Sequence, residues 1–409
     1  MENSDTPAPK LSRSISLPWL VFYGVGTILG AGIFVVIGKV IGEAGALTPI
    51  AYLIAGLVAF ATALSYAEIA ARIPTAGGPI DYVERASGLK HLGSLAGWGL
   101  VAANTVSAAT ITSGFIGYLG VFIDLPDWLV AIGIIIALAS LAAVGMKAST
   151  MFMAMTTIIG MVTLVAVVWA VRDGLAATPV MLAEELGGIS SMAAIGLFGG
   201  TFLALYSFIG FGDMVLTAEE VKKVEKTLPR AIVIAFAIVF VFYLLVSSAV
   251  VGAGPTEQIA EAEAPLVAVV ERAGWPAWPV GIASLFIIVN GALTQIIGAA
   301  RLLMDIGRDG RGAPGVFGQI NQRTGTPVVA TIAIGTIVML LAVFVPLKQL
   351  AEATSLIILI VFAAVNLSLL ALKAKSQPDG VPNMWIGVPI IGAVTSAGAV
   401  ATQILLWVS

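Results

Sequence analysis

Cysteine is absent, histidine occurs once (His91), and only 11% of the 409 residues are charged. Without cysteine the chain can form no disulfide, thiolate metal site or thiol nucleophile, and a single histidine cannot build a histidine cluster. The same absence leaves the redox compartment undetermined. The 20 Lys and Arg against 23 Asp and Glu give a net charge of −3 with no basic stripe, so nucleic acid is excluded as a partner. No nucleotide-binding glycine loop is present, which disfavours ATP-driven chemistry by this chain. Gly24-Val25-Gly26 copies part of a dinucleotide fingerprint but has no strand, soluble crossover or downstream acid to accompany it. No constellation of His, acids and a nucleophile marks an enzyme, and no cofactor is expected.

What the chain has is apolar surface. Hydrophobic residues make up 59% of it and the mean hydropathy is +1.04, the composition of an all-α polytopic membrane protein whose partner is the lipid bilayer. Windows of about 20 residues, divided at polar or Gly/Pro punctuation, fall near 17–41, 46–71, 93–122, 126–146, 151–172, 193–217, 230–253, 277–304, 327–346, 350–372 and 384–408. Eleven helices in one transmembrane domain over 17–409 are therefore expected, behind a polar tail at 1–16 that carries Lys10 and Arg13. The first apolar run is too long and too rich in glycine for a cleaved signal peptide, so it reads as a retained anchor. With the N-terminus in the cytoplasm, 16 of the 20 Lys and Arg lie inside, and Lys39, Arg172, Arg272 and Lys348 remain outside. That bias satisfies the positive-inside rule in a cell membrane, plasma or inner, and an eleventh helix puts the C-terminus outside. The segment 255–272, with Glu257, Glu261, Glu263 and Glu271, reads as a solvated outer loop with room for short surface helices.

Within the first window, Gly24, Gly26, Gly30 and Gly32 fall where a membrane helix is normally continuous. In hydrocarbon an unpaired backbone N–H or C=O costs several kcal/mol, so a break survives only where protein, water or a bound solute satisfies the freed groups. A second glycine-interrupted segment surrounds Gly196, Gly199, Gly200, Gly210 and Gly212 in the sixth window. Breaks in helix one of a first group of five and helix one of a second point to an inverted repeat, about 17–172 and 193–372, with 384–408 left over as an extra helix. Half-helix N-termini then offer N–H groups to a carboxylate and unwound carbonyls receive an ammonium, a pairing that fits a zwitterion.

Four patches carry a family resemblance: Gly26-Thr27-Ile28-Leu29-Gly30-Ala31-Gly32-Ile33-Phe34; Glu68 through Pro79; Tyr206-Ser207-Phe208-Ile209-Gly210-Phe211-Gly212-Asp213 with Ala218-Glu219-Glu220 and Thr227-Leu228-Pro229-Arg230; and Arg301 with Arg308-Asp309-Gly310. The chain resembles the amino acid–polyamine–organocation permeases, built on the five-plus-five repeat of the leucine transporter. The resemblance implies a secondary amino acid transporter working by alternating access, and Gly212, where an acid would be needed to neutralise a cationic tail, points to small neutral substrates. It implies that Ile28, Leu29, Gly30, Ala31 and Gly32 hold the substrate carboxylate and part of its amine. Tyr206, Ser207, Phe208, Ile209 and Gly210 would do the rest through their backbone, with Tyr206 as an aromatic gate and Phe211 as a pocket wall. Asn104, Thr105, Asp213 and Asn290 are candidates for the cavity or a gate, and Thr294 is the nearest hydroxyl for a sodium site.

Two departures matter. Where some members carry a lysine in helix five, alignment from Gly145 and Lys147 brings Gly160, so sodium coupling, proton coupling, exchange and facilitation all stay open. Where members taking cationic substrates carry an acid, this chain has Gly212 with Asp213 next to it; a cationic amino acid or amine transporter or exchanger is the alternative. Val224 stands in place of a usual proline, and Ile80 in place of an aromatic. A channel or a sensor without transport is the rival from a different class, and the oligomeric state is unknown. Gly26 and Gly30 also form a small-xxx-small packing face. Polar groups on helices three, eight and ten fit interhelical hydrogen bonds, and Glu68 with Arg72 and Arg301 with Asp305 fit intrahelical pairs at helix ends.

Overall fold

The protein, seen in a computed structural model, is described over residues 13–408 apart from Ala31, Ala76, residues 145–149, Ile189, Gln377 and Asp379. Helices α1 (Leu17–Leu29) and α2 (Gly32–Ala44) divide the first apolar window, and α3 (Thr48–Arg72) follows them. The short α4 (Pro79–Ser87) leads to α5 (Lys90–Gly120), α6 (Asp127–Val144), α7 (Thr150–Ala170) and α8 (Asp173–Gly187). Helix α9 (Ser191–Leu205) runs into a 3-10 segment, Tyr206–Glu220. Then come α10 (Val224–Gly252), α11 (Thr256–Glu261), α12 (Pro265–Arg272), α13 (Ala277–Arg308), α14 (Val328–Phe344), α15 (Leu347–Lys375) and α16 (Gly387–Val408). Among the described residues the β contact is one isolated parallel bridge, Ile15 to Val221.

Seven stretches are long and apolar enough to cross a membrane, the first being Leu17–Arg72, which holds α1, α2 and α3. The bent pair α7 and α8, at 72°, makes an eighth, and α6 and α14 supply shorter apolar helices. The chain is an all-α polytopic integral membrane protein. Prolines set several starts: Pro18, Pro49, Pro79 and Pro265 occupy first turns, where a missing N–H costs nothing and the fixed φ favours the helix. Gly88 closes α4 in the left-handed conformation at φ +75° and donates its N–H to the Glu84 carbonyl.

The interior is built by α5 packing on α13 and α15, by α10 packing on α3 and α1, and by α2 packing on α9, while α16 covers α15 and α3. The segment 255–272 is more than a solvated loop. Its helices α11 and α12 bury Ile259, Leu266, Val267, Val269 and Val270 against α2 and α13, and its four glutamates stay exposed. Both helices are amphipathic and shorter than a membrane window, so a scan for spans passes over them.

The two ends of the bundle differ in charge. At the basic end the buried Glu68 carboxylate accepts from the Arg72 guanidinium at 2.7 Å, from Lys373 Nζ at 2.7 Å and from the Met384 backbone N–H at 2.9 Å, tying α3, α15 and the approach to α16 together. The expected Arg301–Asp305 pair is replaced by Arg308, three residues along the same face, which bonds Asp305 at 2.8 Å. At the opposite end Lys348 of α15 pairs with Glu43 of α2.

Candidate binding site

The helix interruption in the first window lies between Leu29 and Gly32, where Gly30 leaves helical geometry at ψ −142° while its N–H still reaches the Gly26 carbonyl at 3.1 Å. Ala31 lies outside the described residues. The second segment behaves differently from the expected break. From Tyr206 onward the chain tightens into a 15-residue 3-10 helix and keeps turning to Glu220. Runs beyond three or four residues are uncommon in this geometry, whose poorer hydrogen bonds mark a functional or strained stretch.

The two segments touch through their glycines. A Cβ on Gly210 would stand 2.2 Å from the Thr27 carbonyl oxygen, and a Cβ on Gly32 would stand 2.8 Å from Ser207 Cα. No side chain fits between them, so peptide groups of one interruption face peptide groups of the other. Tyr243, on α10, completes the junction. Its hydroxyl lies 2.8 Å from the Ile28 carbonyl oxygen, 3.0 Å from that of Ser207 and 3.4 Å from that of Leu29. A phenol has one proton to donate, so these carbonyls share it and keep acceptor capacity for another donor.

A cavity of about 40 Å³ opens beside this junction. Of the residues anticipated from sequence, Ile28, Gly30, Gly32, Tyr206, Ser207, Ile209, Gly210, Asp213, Asn290 and Thr294 line it. Gly26, Thr27, Ser107, Ile111, Gly291 and Gln295 line it as well. Tyr206 is held toward α5, its hydroxyl 3.1 Å from Ser107 Oγ. Thr294 donates to the Asn290 carbonyl at 2.9 Å, one turn back on α13.

Other anticipated residues lie elsewhere. Leu29 is buried outside the cavity lining. The Phe208 ring stacks on Phe236 at 5.4 Å and meets Tyr243 edge-on at 5.0 Å, while Phe211 packs on Tyr66 at 5.3 Å and Phe362 at 5.1 Å. Both rings belong to the aromatic core behind the 3-10 segment. Thr105 bonds its own helix at the Val101 carbonyl, 2.6 Å away. Asn104 borders a second cavity of about 20 Å³, shared with Tyr66, Leu216, Ile358 and Phe362. Asp213 reaches both cavities. A vestibule of about 370 Å³ toward the basic end is lined by Ser14, Trp19, Tyr23, Thr217 and Glu220, and it shares Gly26 and Asn290 with the central cavity.

Sequence reasoning did not single out Tyr243 or Gln295. For both the available signal is a polar group isolated in an apolar helix, which in hydrocarbon needs a partner or a cavity. Among the described residues no cluster of three His, Asp or Glu offers a metal site. The lining combines backbone dipoles, hydroxyls and amides with one carboxylate, a set suited to a small polar solute that exposes both a carboxylate and an ammonium.

A family profile described as "Amino acid permease" matches residues 15–408. Over 394 residues the chain is 31% identical to the vacuolar cationic amino acid transporter 4 of Arabidopsis thaliana, an alignment spanning 91% of this chain and 65% of that protein. It is 28% identical to the vacuolar cationic amino acid transporter 2 of the same plant, over 98% of this chain and 67% of the relative. A branched-chain amino acid permease of Bacillus subtilis is 27% identical over 93% of this chain and 85% of its own length. The chain thus spans about two thirds of the length of the plant relatives.

Proposed function

The chain belongs to the amino acid permease family, and from that premise we propose that it carries small neutral amino acids across a membrane as a secondary transporter working by alternating access. The observation that carries this reading is the contact between the two interrupted segments, Gly210 on Thr27 and Gly32 on Ser207, beside a cavity edged by their peptide groups. The substrate ammonium is held by the carbonyls of Ile28 and Ser207, which Tyr243 fixes in place, and the carboxylate by the N–H groups that open α2 at Gly32. Neutral peptide dipoles bind a zwitterion without placing a permanent charge in the bilayer.

In this reading helices α1 to α7 and α9 to α15 form the two inverted halves of one transport domain in a cell membrane, with the basic end cytoplasmic and α16 the extra helix. The vestibule on that side is the inner route to the cavity. A cavity near 40 Å³ holds two or three waters and favours a short side chain over a long cationic one. A cationic amino acid is the second reading, favoured by Asp213 at the cavity edge.

The test is uptake into proteoliposomes of tritiated L-alanine, L-leucine, L-lysine and L-arginine, with each unlabelled amino acid as competitor in tenfold excess. Uptake of L-alanine that neutral but not cationic competitors suppress is the expected result. Faster uptake of L-lysine and L-arginine than of L-alanine selects the cationic reading, and saturation-free flux of all four refutes a transporter.

A further inference from the structure

The vestibule, at about 370 Å³, has about nine times the volume of the central cavity and falls within the range of about 300–1,000 Å³ over which pockets take organic molecules of drug size. One wall is aromatic. Trp19, Phe22, Tyr23 and Gly26 of α1 line it at i, i+3, i+4 and i+7, a single face of that helix. The Trp19 and Phe22 rings meet edge to face at 6.4 Å, and Trp19 remains 55% exposed, so its ring is only partly covered by the protein. A second wall is polar: Thr217 and Glu220 stand three apart in the 3-10 segment and share one face of it.

The floor is fixed by main chain. Ser14 and Ile15, which also line the vestibule, donate their N–H groups to the Glu220 carbonyl at 2.9 and 3.0 Å, and the Lys222 N–H donates to the Ile15 carbonyl at 3.0 Å. These bonds hold the Glu220 backbone in place and leave its side chain for another partner: half-buried, the carboxylate forms no ion pair among the described residues. The charged side chains that act on Tyr23 are Asp213, Glu220 and Arg301, two acids to one base, and Arg301 is exposed, so the field inside the vestibule favours a cation. A cation is attracted to the face of an aromatic ring and makes its strongest hydrogen bonds to a carboxylate. The vestibule therefore offers each end of an amphipathic aromatic amine its own surroundings.

We infer that the vestibule is a binding site for aromatic amines, molecules with a flat ring and one protonated amine, and that an occupant closes the inner route without itself being carried. The ring lies among Trp19, Phe22 and Tyr23, and the ammonium bonds the Glu220 carboxylate. The occupant cannot pass on, because beyond Gly26 and Asn290, which both hollows share, the space narrows from about 370 to about 40 Å³. At Gly26 the helices are already in contact, since a Cβ there would stand 2.2 Å from Thr157 Oγ1 on α7. Binding stands on the vestibule itself; its effect on transport rests on the permease reading above.

The experiment uses the full chain and three probes: tryptamine, indole-3-propionate, which keeps the skeleton and exchanges the amine for a carboxylate, and n-butylamine, which lacks the ring. Titration calorimetry in detergent at pH 7 should show tryptamine binding at least tenfold more tightly than either of the others, the equivalent of about 1.36 kcal/mol. Glu220→Gln, which keeps hydrogen bonding and loses the charge, should weaken tryptamine at least fivefold, and Trp19→Ala at least threefold. In proteoliposomes with tryptamine on both sides of the membrane at ten times its dissociation constant, counterflow of tritiated L-alanine should fall at least fivefold. No binding of tryptamine, equal binding of indole-3-propionate or n-butylamine, or binding that neither substitution weakens overturns the inference. Counterflow of radiolabelled tryptamine itself overturns it as well, and makes the amine a substrate. Binding that leaves L-alanine counterflow unchanged overturns the closure of the inner route. Absence of counterflow of every amino acid by the unaltered protein refutes the permease reading, while calorimetry still decides the site. Should either substituted protein fail to insert, the comparison of the three probes on the unaltered protein decides.

Discussion

Gly210 and Gly212 lie two residues apart in the same 3-10 segment, yet an added methyl group meets different surroundings at each. At Gly210 the new Cβ would stand 2.2 Å from the Thr27 carbonyl oxygen, 2.4 Å from its carbon and 2.7 Å from the Ile28 nitrogen, all backbone. At Gly212 the nearest atom is Tyr66 Cε1 at 3.9 Å, an ordinary contact. Gly210→Ala therefore has to push the two interruptions apart by about an ångström, since no rotamer change can relieve a clash with main chain. Overpacking of this kind costs about 1–3 kcal/mol. The larger effect falls on the site, because a displacement of about 1 Å in positioning groups costs on the order of a hundredfold in rate. In proteoliposomes normalised for inserted protein, Gly210→Ala should reduce L-alanine uptake at least tenfold while Gly212→Ala stays within twofold of the unaltered protein. Unimpaired uptake by Gly210→Ala refutes the contact between the segments as the basis of the site. Equal loss in both variants refutes the distinction drawn between them.

Other perturbations test other parts of the structure. Tyr243→Phe removes the hydroxyl shared by the Ile28 and Ser207 carbonyls and should lower stability by about 1–3 kcal/mol, read as an earlier melting transition in detergent, with a raised KM for L-alanine. Glu68→Gln leaves Arg72 and Lys373 buried without their carboxylate and should cost about 3–5 kcal/mol; a melting temperature equal to that of the unaltered protein contradicts the network. Lys348→Ala breaks a partly exposed pair with Glu43 and should cost less than about 1 kcal/mol, within error in the same assay.

Much of the helical framework was legible because hydrocarbon imposes a coarse rule: about 20 apolar residues for each crossing. Each expected window coincides with a helix, except that the first takes in α1 and α2 and the sixth takes in α9 and most of the 3-10 segment after it. The pieces that were not legible obey other rules. Helices α4, α11 and α12 are too short for that window, and α8 carries Asp173, Glu184 and Glu185 and bends 72° from α7. Burial of their apolar faces depends on partners such as α2 and α10, which periodicity within one segment does not reveal.

The site separates the same two kinds of information. Glycines at 30, 32 and 210 announced a backbone that must bend or be approached closely, since those are the needs that glycine meets. They did not announce which conformation follows. Gly30 interrupts its helix, whereas Gly210 sits in a chain that keeps coiling more tightly and gives up a side chain so that the Thr27 peptide can lie against it. Phe208 and Phe211 flank that glycine in sequence, yet their rings turn to the core, because in a 3-10 helix residues three apart share a face. The Tyr243 contact with Ile28 spans 215 residues of sequence; only the packing of α10 on α1 brings it about. The junction therefore depends on a side chain from neither interrupted segment: one phenol, on an otherwise continuous helix, ties a carbonyl of each to the same point.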